Sequence, residues 1–364
     1  MSIRIEKYNA GRLREFIESD EYRNMPSIPV TYHRAQSWLN NPRMDPADNL
    51  MYIAFDDEEL LGYRCILPDR YDDARFGWLS GNWVTPSRRR QGIASRLFEE
   101  AFSDWKGHLM FANYAPESKA VYDKTGRFRL FIERPGTRYY IRSAAASLLS
   151  GRGGIFEALK PAISLFDGFI NFWQDVRLES SLKKNKVDLL MTEPLSSLDK
   201  ESYEFLLRNK KLGFGQRDVE MFGWIHAYPW ILNSDTGDRR YFFSSGAKQF
   251  KNHYLKILDK EGKMAAFLML VRIDDRMTVP YACTGEEGLK TSIEILDHYL
   301  GINRISVFTT WNPGITSIMN NSRLPLLGKR KMVQKYYATA ELLNLLPDSS
   351  LVDFQDGDGD FVFT

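Results

Sequence analysis

Three consecutive arginines, Arg88-Arg89-Arg90, run into Gln91-Gly92-Ile93-Ala94-Ser95. Beyond them, Ile93, Ala94, Leu97, Phe98, Ala101, Phe102 and Trp105 recur every three to four positions, as the buried face of a helix requires. A strand-like run, FGWLSGNWVT (76–85), precedes the loop. A strand, a short basic loop and a helix in this order hold the free N–H groups of the helix's first turn at a fixed place. Those groups and the helix dipole favour an anion. Gly92 lets a ligand approach the backbone, and Ala94 keeps that approach uncrowded. The chemistry implied is a pyrophosphate cradle without a P-loop lysine. The plainer alternative is a basic loop before an ordinary amphipathic helix.

Other chemistry-bearing residues are sparse. Cys65 and Cys283 both lie in strand-like runs and read as buried thiols in a reducing compartment. None of the five histidines forms an H-E-x-x-H or pairs with a C-x-x-C, so no metal site is expected. The 49 basic against 47 acidic residues leave +2 net, which argues against gripping nucleic acid or an anionic membrane through bulk charge. The 43% hydrophobic content supports packed cores and excludes a disordered chain. There is no apolar signal region near residue 1 and no run of about 18 apolar residues, so a cytoplasmic protein without a membrane span is expected.

The elements that would position the cradle alternate. A strand is predicted at 2–8, helices near 10–24 and 32–40, and a hairpin over 50–70 turning at Asp56-Asp57-Glu58-Glu59. After the cradle helix come a buried strand at 108–114, a short helix at 117–125 stopped by Gly126, and two strands near 127–133 and 137–142. Residues 143–185 break the pattern and read as a helical linker. A membrane-surface reading of Phe156, Phe166, Phe169, Phe172 and Trp173 is weakened by a polar face that carries Asp167 and Asp175 and few lysines. The second half then repeats the order: strand 187–193, two helices, a hairpin turning at Asp259-Lys260-Glu261-Gly262, a strand, a helix from about 287 to 300 and the strand RISVFTTW. Tyr336-Tyr337 follows Tyr139-Tyr140 at the same offset as Pro313 follows Pro116, which reads as a duplication.

The stretch V-x-P-x-x-R-R-x-G-I-A-x-x-L resembles motif A of the GNAT superfamily of acyl-CoA N-acyltransferases, whose signature is Q/R-x-x-G-x-G/A. Arg89, Gly92 and Ala94 occupy the three signature positions, and the order of elements over about residues 2–142 is similar to the family's. The resemblance implies a mixed α/β (α+β) fold of two GNAT-like units. Each would have a central mixed, mainly antiparallel twisted sheet flanked by helices. The domains would be 1–142, carrying the cofactor loop, and 186–364, a degenerate copy with an acidic tail, joined by the linker 143–185. It further implies that Asn82, Trp83 and Val84 pair with the pantetheine arm of acetyl-CoA. Arg89, Arg90, Gln91, Gly92, Ile93, Ala94 and Ser95 would hold the pyrophosphate, with Asn113 at the end of the following strand. The family pattern Y-x-K-x-G reads Tyr122-Asp123-Lys124-Thr125-Gly126 here, which makes Tyr122 the general acid toward the leaving thiolate. Met110-Phe111-Ala112 lacks the glutamate base of some members; Glu117 and a carboxylate from the second half are candidates.

The function expected is transfer of an acetyl group from acetyl-CoA to a primary amine by direct attack. The alternatives are a non-catalytic acyl-CoA-binding sensor or scaffold, and a tandem-domain aminoacyl transferase. A small amine, an amino sugar and a peptide N-terminus all remain open as acceptor; Tyr63, Trp78, Trp83, Tyr114 and Trp311 could line its pocket or simply pack. In the second half Glu286-Glu287 stands where the first has arginines, so that copy is expected to bind no acyl-CoA. The C-terminal Asp356-Gly357-Asp358-Gly359-Asp360 begins like a calcium loop, but Phe361 stands where that loop needs glycine. A solvated acidic tail is expected there, with docking of the tail near the acceptor as the alternative.

Overall fold

The computed structural model describes residues 3–112, 116–150, 158–184 and 192–363. Local chemistry starts its helices where the sequence pattern places them. Asn9 caps the first by accepting from Arg12 N–H. Ser19 then interrupts the predicted 10–24 helix, because its hydroxyl accepts from Tyr22 N–H and opens a second one.

In chain order the first half contains β1 (Arg4–Tyr8), α1 (Ala10–Glu18), α2 (Asp20–Asn24), α3 (Tyr32–Leu39), β2 (Met51–Asp56), β3 (Glu59–Tyr71), β4 (Ala74–Val84), α4 (Ile93–Asp104), β5 (Leu109–Ala112), α5 (Pro116–Thr125) and β6 (Phe128–Tyr140). There follow α6 (Ala145–Ser150), α7 (Lys160–Lys184), β7 (Thr192–Leu195), α8 (Lys200–Arg208), α9 (Val219–Ala227), β8 (Leu232–Asn233), β9 (Gly246–Ala247), β10 (Phe250–Leu258), β11 (Met264–Ile273) and β12 (Arg276–Thr284). The chain continues with α10 (Glu286–Ile302), β13 (Val307–Thr310), α11 (Pro313–Asn320) and β14 (Gly328–Thr339). The fold is mixed α/β, with mainly antiparallel sheet flanked by helices.

Packing groups the chain differently from chain order. One compact unit comprises residues 1–134, 212–248 and 334–364; the other comprises 135–211 and 249–333. The boundaries 142 and 186 divide the sequence, whereas these units are discontinuous, and β6 and β14 each contribute residues to both. In the first unit the strands run β1-β2-β3-β4-β5-β14-β6. Neighbours from β1 to β4 are antiparallel, β4 and β5 are parallel, and β14 is antiparallel to β5. Its core joins Tyr52, Ile66 and Leu79 of the sheet to Leu97, Phe98 and Ala101 of α4. In the second unit the order is β6-β13-β12-β11-β10-β7, with β12 and β13 parallel. Leu178 of α7 joins that unit's core with Leu268 and Leu296, so by packing the 143–185 segment belongs to this unit.

Two expectations are corrected. The two closing strands near 127–133 and 137–142 are one strand, β6. It passes through Pro135-Gly136 because Gly136 has no side chain to meet the Trp311 indole, which a Cβ would approach to 2.3 Å. The acidic tail is not solvated. Phe354 stacks on Phe214 with ring centroids 4.5 Å apart, and Phe363 stacks on Trp230 at 4.6 Å. Arg134 donates to Asp356 at 2.9 Å, and Arg217 pairs with Asp358, which is fully buried. The alternation of aspartate with apolar residues let the carboxylates take buried arginines while the aromatics filled the core.

Candidate functional site

Among the described residues β4 and β5 make two paired positions, Gly77 with Leu109 and Trp78 with Met110. Among the same residues β4 then runs on to Val84 and β5 to Ala112 without pairing to each other, so the two parallel strands splay. Along its other edge β4 stays paired to β3 as far as Val84. Within that pairing Gly81 is the extra residue: Cys65 faces Ser80, Arg64 faces Asn82, and Gly81 has φ +23°. This is a β-bulge, which re-aims the strand where the splay begins.

β4 leads into the basic loop. A short 3₁₀ turn at Pro86–Arg88 is followed by Arg90 with φ +65° and Gly92 with φ +81°. Gly92 is the N-cap of α4, and no side chain caps the helix. The first helical bond is Arg96 N–H to Gly92 O at 3.0 Å, so the amides of Ile93, Ala94 and Ser95 have no acceptor within the helix. A Cβ on Gly92 would meet nothing within 4 Å. The left-handed φ, not crowding, therefore selects glycine here, and the space above it is open. Ile93 is buried, and Arg90, Gln91 and Ser95 are exposed. Arg89 Nε donates to Val84 O at 3.2 Å, bending back over the strand edge. Gln91 Nε2 donates weakly to Ser87 O at 3.5 Å. Arg88 turns to Asp56 at 3.2 Å, so one of the three arginines is held in an ion pair.

Tyr122, on α5, is wholly buried in a nest of Phe98, Phe111 and Phe128. Its hydroxyl accepts from Arg64 Nη1 at 2.6 Å, while Arg64 Nη2 donates to Asn82 Oδ1 at 3.1 Å. One guanidinium thus ties the proposed acid to the bulged strand. Arg64 is fully buried, and its Nε has no partner. Among the described residues no carboxylate lies within ion-pair reach of it. The sequence reading missed this residue; the signal was an arginine inside the apolar strand LLGYRCIL (60–67).

On the other side of the bulge, Ser80 Oγ donates to Asp360 Oδ2 at 2.7 Å and accepts from Arg34 Nη2 at 2.9 Å. Arg34 lies 3.7 Å over the Trp230 ring. Tyr63 stacks on Trp83, with centroids 5.7 Å apart, and its buried hydroxyl has no partner. Burial raises the Tyr63 hydroxyl, and it pushes the Cys65 thiol up to about 12. Cys65 is therefore a protonated, inert thiol at neutral pH. Trp78 is committed elsewhere, donating to Asp69 at 2.9 Å. Asn113 and Tyr114 lie outside the described residues, as do the side chains of Glu117, Glu286 and Glu287.

The family model for the acetyltransferase (GNAT) family matches residues 14–126, a span holding the splayed strands, the bulge, the uncapped α4 and Tyr122. This segment is a GNAT acyltransferase domain. Solved structures resemble the chain at low identity. A proposed acetyltransferase from Pyrococcus horikoshii is 10% identical with a TM-score of 0.50, covering 100% of this chain and 96% of its own. A GCN5-related N-acetyltransferase from Kribbella flavida is 12% identical with a TM-score of 0.47, covering 92% and 71%. The N-myristoyltransferase of Saccharomyces cerevisiae, with bound myristoyl-CoA, is 9% identical with a TM-score of 0.49, covering 93% and 82%. No curated protein matches the chain in sequence. Among the described residues no helix is long and apolar enough to cross a membrane.

Proposed function

We propose that this GNAT domain transfers an acetyl group from acetyl-CoA to a primary amine. The observation that carries the reading is the uncapped N-terminus of α4, with open space over Gly92, following a strand whose edge toward β5 is paired with no strand from Leu79 to Val84 among the described residues. The amides of Ile93, Ala94 and Ser95 would take the pyrophosphate, with Arg90 adding charge. The edge of β4 at Asn82, Trp83 and Val84, once Arg89 releases Val84 O, would pair with the pantetheine arm and polarise the thioester carbonyl. The amine nitrogen attacks that carbonyl, the C–S bond breaks, and Tyr122 gives its proton to the departing thiolate. Arg64, hydrogen-bonded to the same phenol oxygen, steadies the negative charge left on it. Asp360 is the carboxylate we assign to take the amine's proton, since Ser80 holds it beside the bulge.

We further propose that the second half is a GNAT-like copy that binds no acyl-CoA. Its helix start has no open cradle: Gly285 N–H donates to Ala265 O, and a Cβ on Gly288 would meet that same oxygen at 2.3 Å. Calorimetric titration with acetyl-CoA should then give one site per chain; two sites would remove this claim. The activity itself is tested by following free thiol from acetyl-CoA against a panel of small amines, amino sugars and peptides. Thiol release with an amine, reduced in Tyr122→Phe, is expected. Binding without turnover across the panel would point to a sensor instead, and unchanged turnover in Tyr122→Phe would remove the proposed acid.

A further inference from the structure

Helix α7 commits four polar side chains to the protein. Asp167 is 8% exposed and accepts from Ser143 Oγ and from the backbone N–H groups of Ala145 and Ala146. Asn171 exchanges hydrogen bonds with the Ser143 backbone, accepting at 2.7 Å and donating at 2.9 Å. Gln174 donates to Ile141 O and Pro325 O, and Asp175 takes both arms of Arg142, at 2.7 and 3.0 Å. Leu178 also packs inward, but six apolar side chains face the solvent: Leu165 is 78% exposed, Phe166 60%, Phe169 67%, Phe172 63%, Trp173 57% and Val176 51%. Their spacing of one, four, seven, eight and eleven residues from Leu165 places them on one stripe, about 16 Å long at 1.5 Å per residue. With aromatic side chains of roughly 150–250 Å² each, the stripe exceeds the few hundred Å² that soluble monomers expose in one patch.

Of the sequence-based objections to a membrane-surface role, Asp167 and Asp175 are both committed to the protein, and the few cations of the helix are the other. The exposed charges left on the helix are Lys160, Arg177, Lys183 and Lys184, against Glu179 alone. We propose that this face inserts into the interface of an anionic membrane, with phenylalanine and tryptophan among the acyl chains and the cations at the headgroups. Charge favours this occupant over a second copy of the chain. Antiparallel pairing of two such helices sets Lys160 against Lys183 and Lys184, and parallel pairing sets Lys183 and Lys184 against themselves.

The test is flotation of the full chain with phosphatidylcholine vesicles, with and without phosphatidylserine. Association with the phosphatidylserine vesicles is expected, weakening as salt is raised. The double variant Phe169→Asp, Trp173→Asp should partition more than about tenfold less, and Lys183→Glu with Lys184→Glu should lose the preference for phosphatidylserine. All four side chains are exposed, so thermal unfolding should be unchanged, and that measurement confirms that the variants fold. The proposal is overturned if the wild type floats with neither vesicle, or if the aspartate pair leaves flotation intact. It is also overturned if the wild type self-associates through this face, with the aspartate pair releasing monomers and no vesicle bound.

Discussion

Gly92→Ala separates the cradle from the backbone that builds it. Gly92 and Gly262 share a left-handed φ, +81° and +76°, and a Cβ on either would meet nothing within 4 Å. In both, alanine meets no clash and carries only the cost of the left-handed region, roughly 1–2 kcal/mol. That lowers the melting temperature of a domain of 150–250 residues by about 2–4 °C per kcal/mol. Gly262 sits in the turn between β10 and β11, with no part in the proposed cofactor site. At Gly92 the new methyl group occupies the space through which a phosphate would reach the α4 amides. Loss of one hydrogen bond to a charged group is worth about 1.5–3 kcal/mol, or roughly ten- to a hundredfold in Kd. Scanning calorimetry should therefore find the two variants similarly destabilised, while titration with acetyl-CoA should find only Gly92→Ala weakened. Equal acetyl-CoA affinity in the two variants would refute the cradle and leave Gly92 as a turn residue.

Arg64→Gln should lower kcat with little change in KM for acetyl-CoA, Arg64→Lys should recover part of the loss, and the two effects should vanish in a Tyr122→Phe background; a rise in KM alone would assign Arg64 to packing. Asp360→Asn should reduce turnover at low pH, where the attacking amine most needs to lose a proton, and unchanged turnover there would remove Asp360 as the base. Asp358→Ala leaves Arg217 with Asp69 at 3.6 Å and strands the buried Phe214 and Gln355 N–H groups that Asp358 accepts from, so about 1–3 kcal/mol of stability per stranded donor should be lost; a loss under about 1 kcal/mol would contradict these contacts. Burial pushes the Asp297 carboxyl from 3.8 up to about 6. The unfolded chain then releases this proton first, so stability should fall as pH rises from about 4 to about 6, by about 3 kcal/mol at most. Asp297→Asn keeps an oxygen for Ser322 Oγ and should be more stable near pH 7 and equal near pH 4, as denaturation at the two pH values will show.

The parts of the fold legible in the sequence are those set by local pattern. The α4 face, the hairpin turns, the Gly92 loop and the stop at Gly126 follow from periodicity and backbone preference within a few residues. What escaped depends on partners distant in the chain. Ser80 meets Asp360 across 280 positions and Arg217 meets Asp358 across 141, so a run of aspartates that looks solvated by composition is buried by arginines no local window contains. Arg64 escaped for a related reason: its partners Asn82 and Tyr122 lie on two other elements. The orientation of α7 was equally hidden, since helical spacing identifies two faces but not which one the protein covers.

The first packing unit is assembled from residues 1–134, 212–248 and 334–364, and that has a consequence for biosynthesis. The splay, the bulge and the α4 loop are all encoded in the first third of the chain. The strand β14 that pairs with β5, the Phe354 and Phe363 stacks and the Asp360 contact arrive only with the last thirty or so residues. A ribosome that has made the whole GNAT segment therefore carries an unfinished sheet and must complete about two hundred further codons before the unit can close. Domains ordinarily fold in order as they emerge; here the earliest part of the chain waits for the latest. A nascent chain stalled before β14 should accordingly be protease-sensitive throughout its GNAT segment.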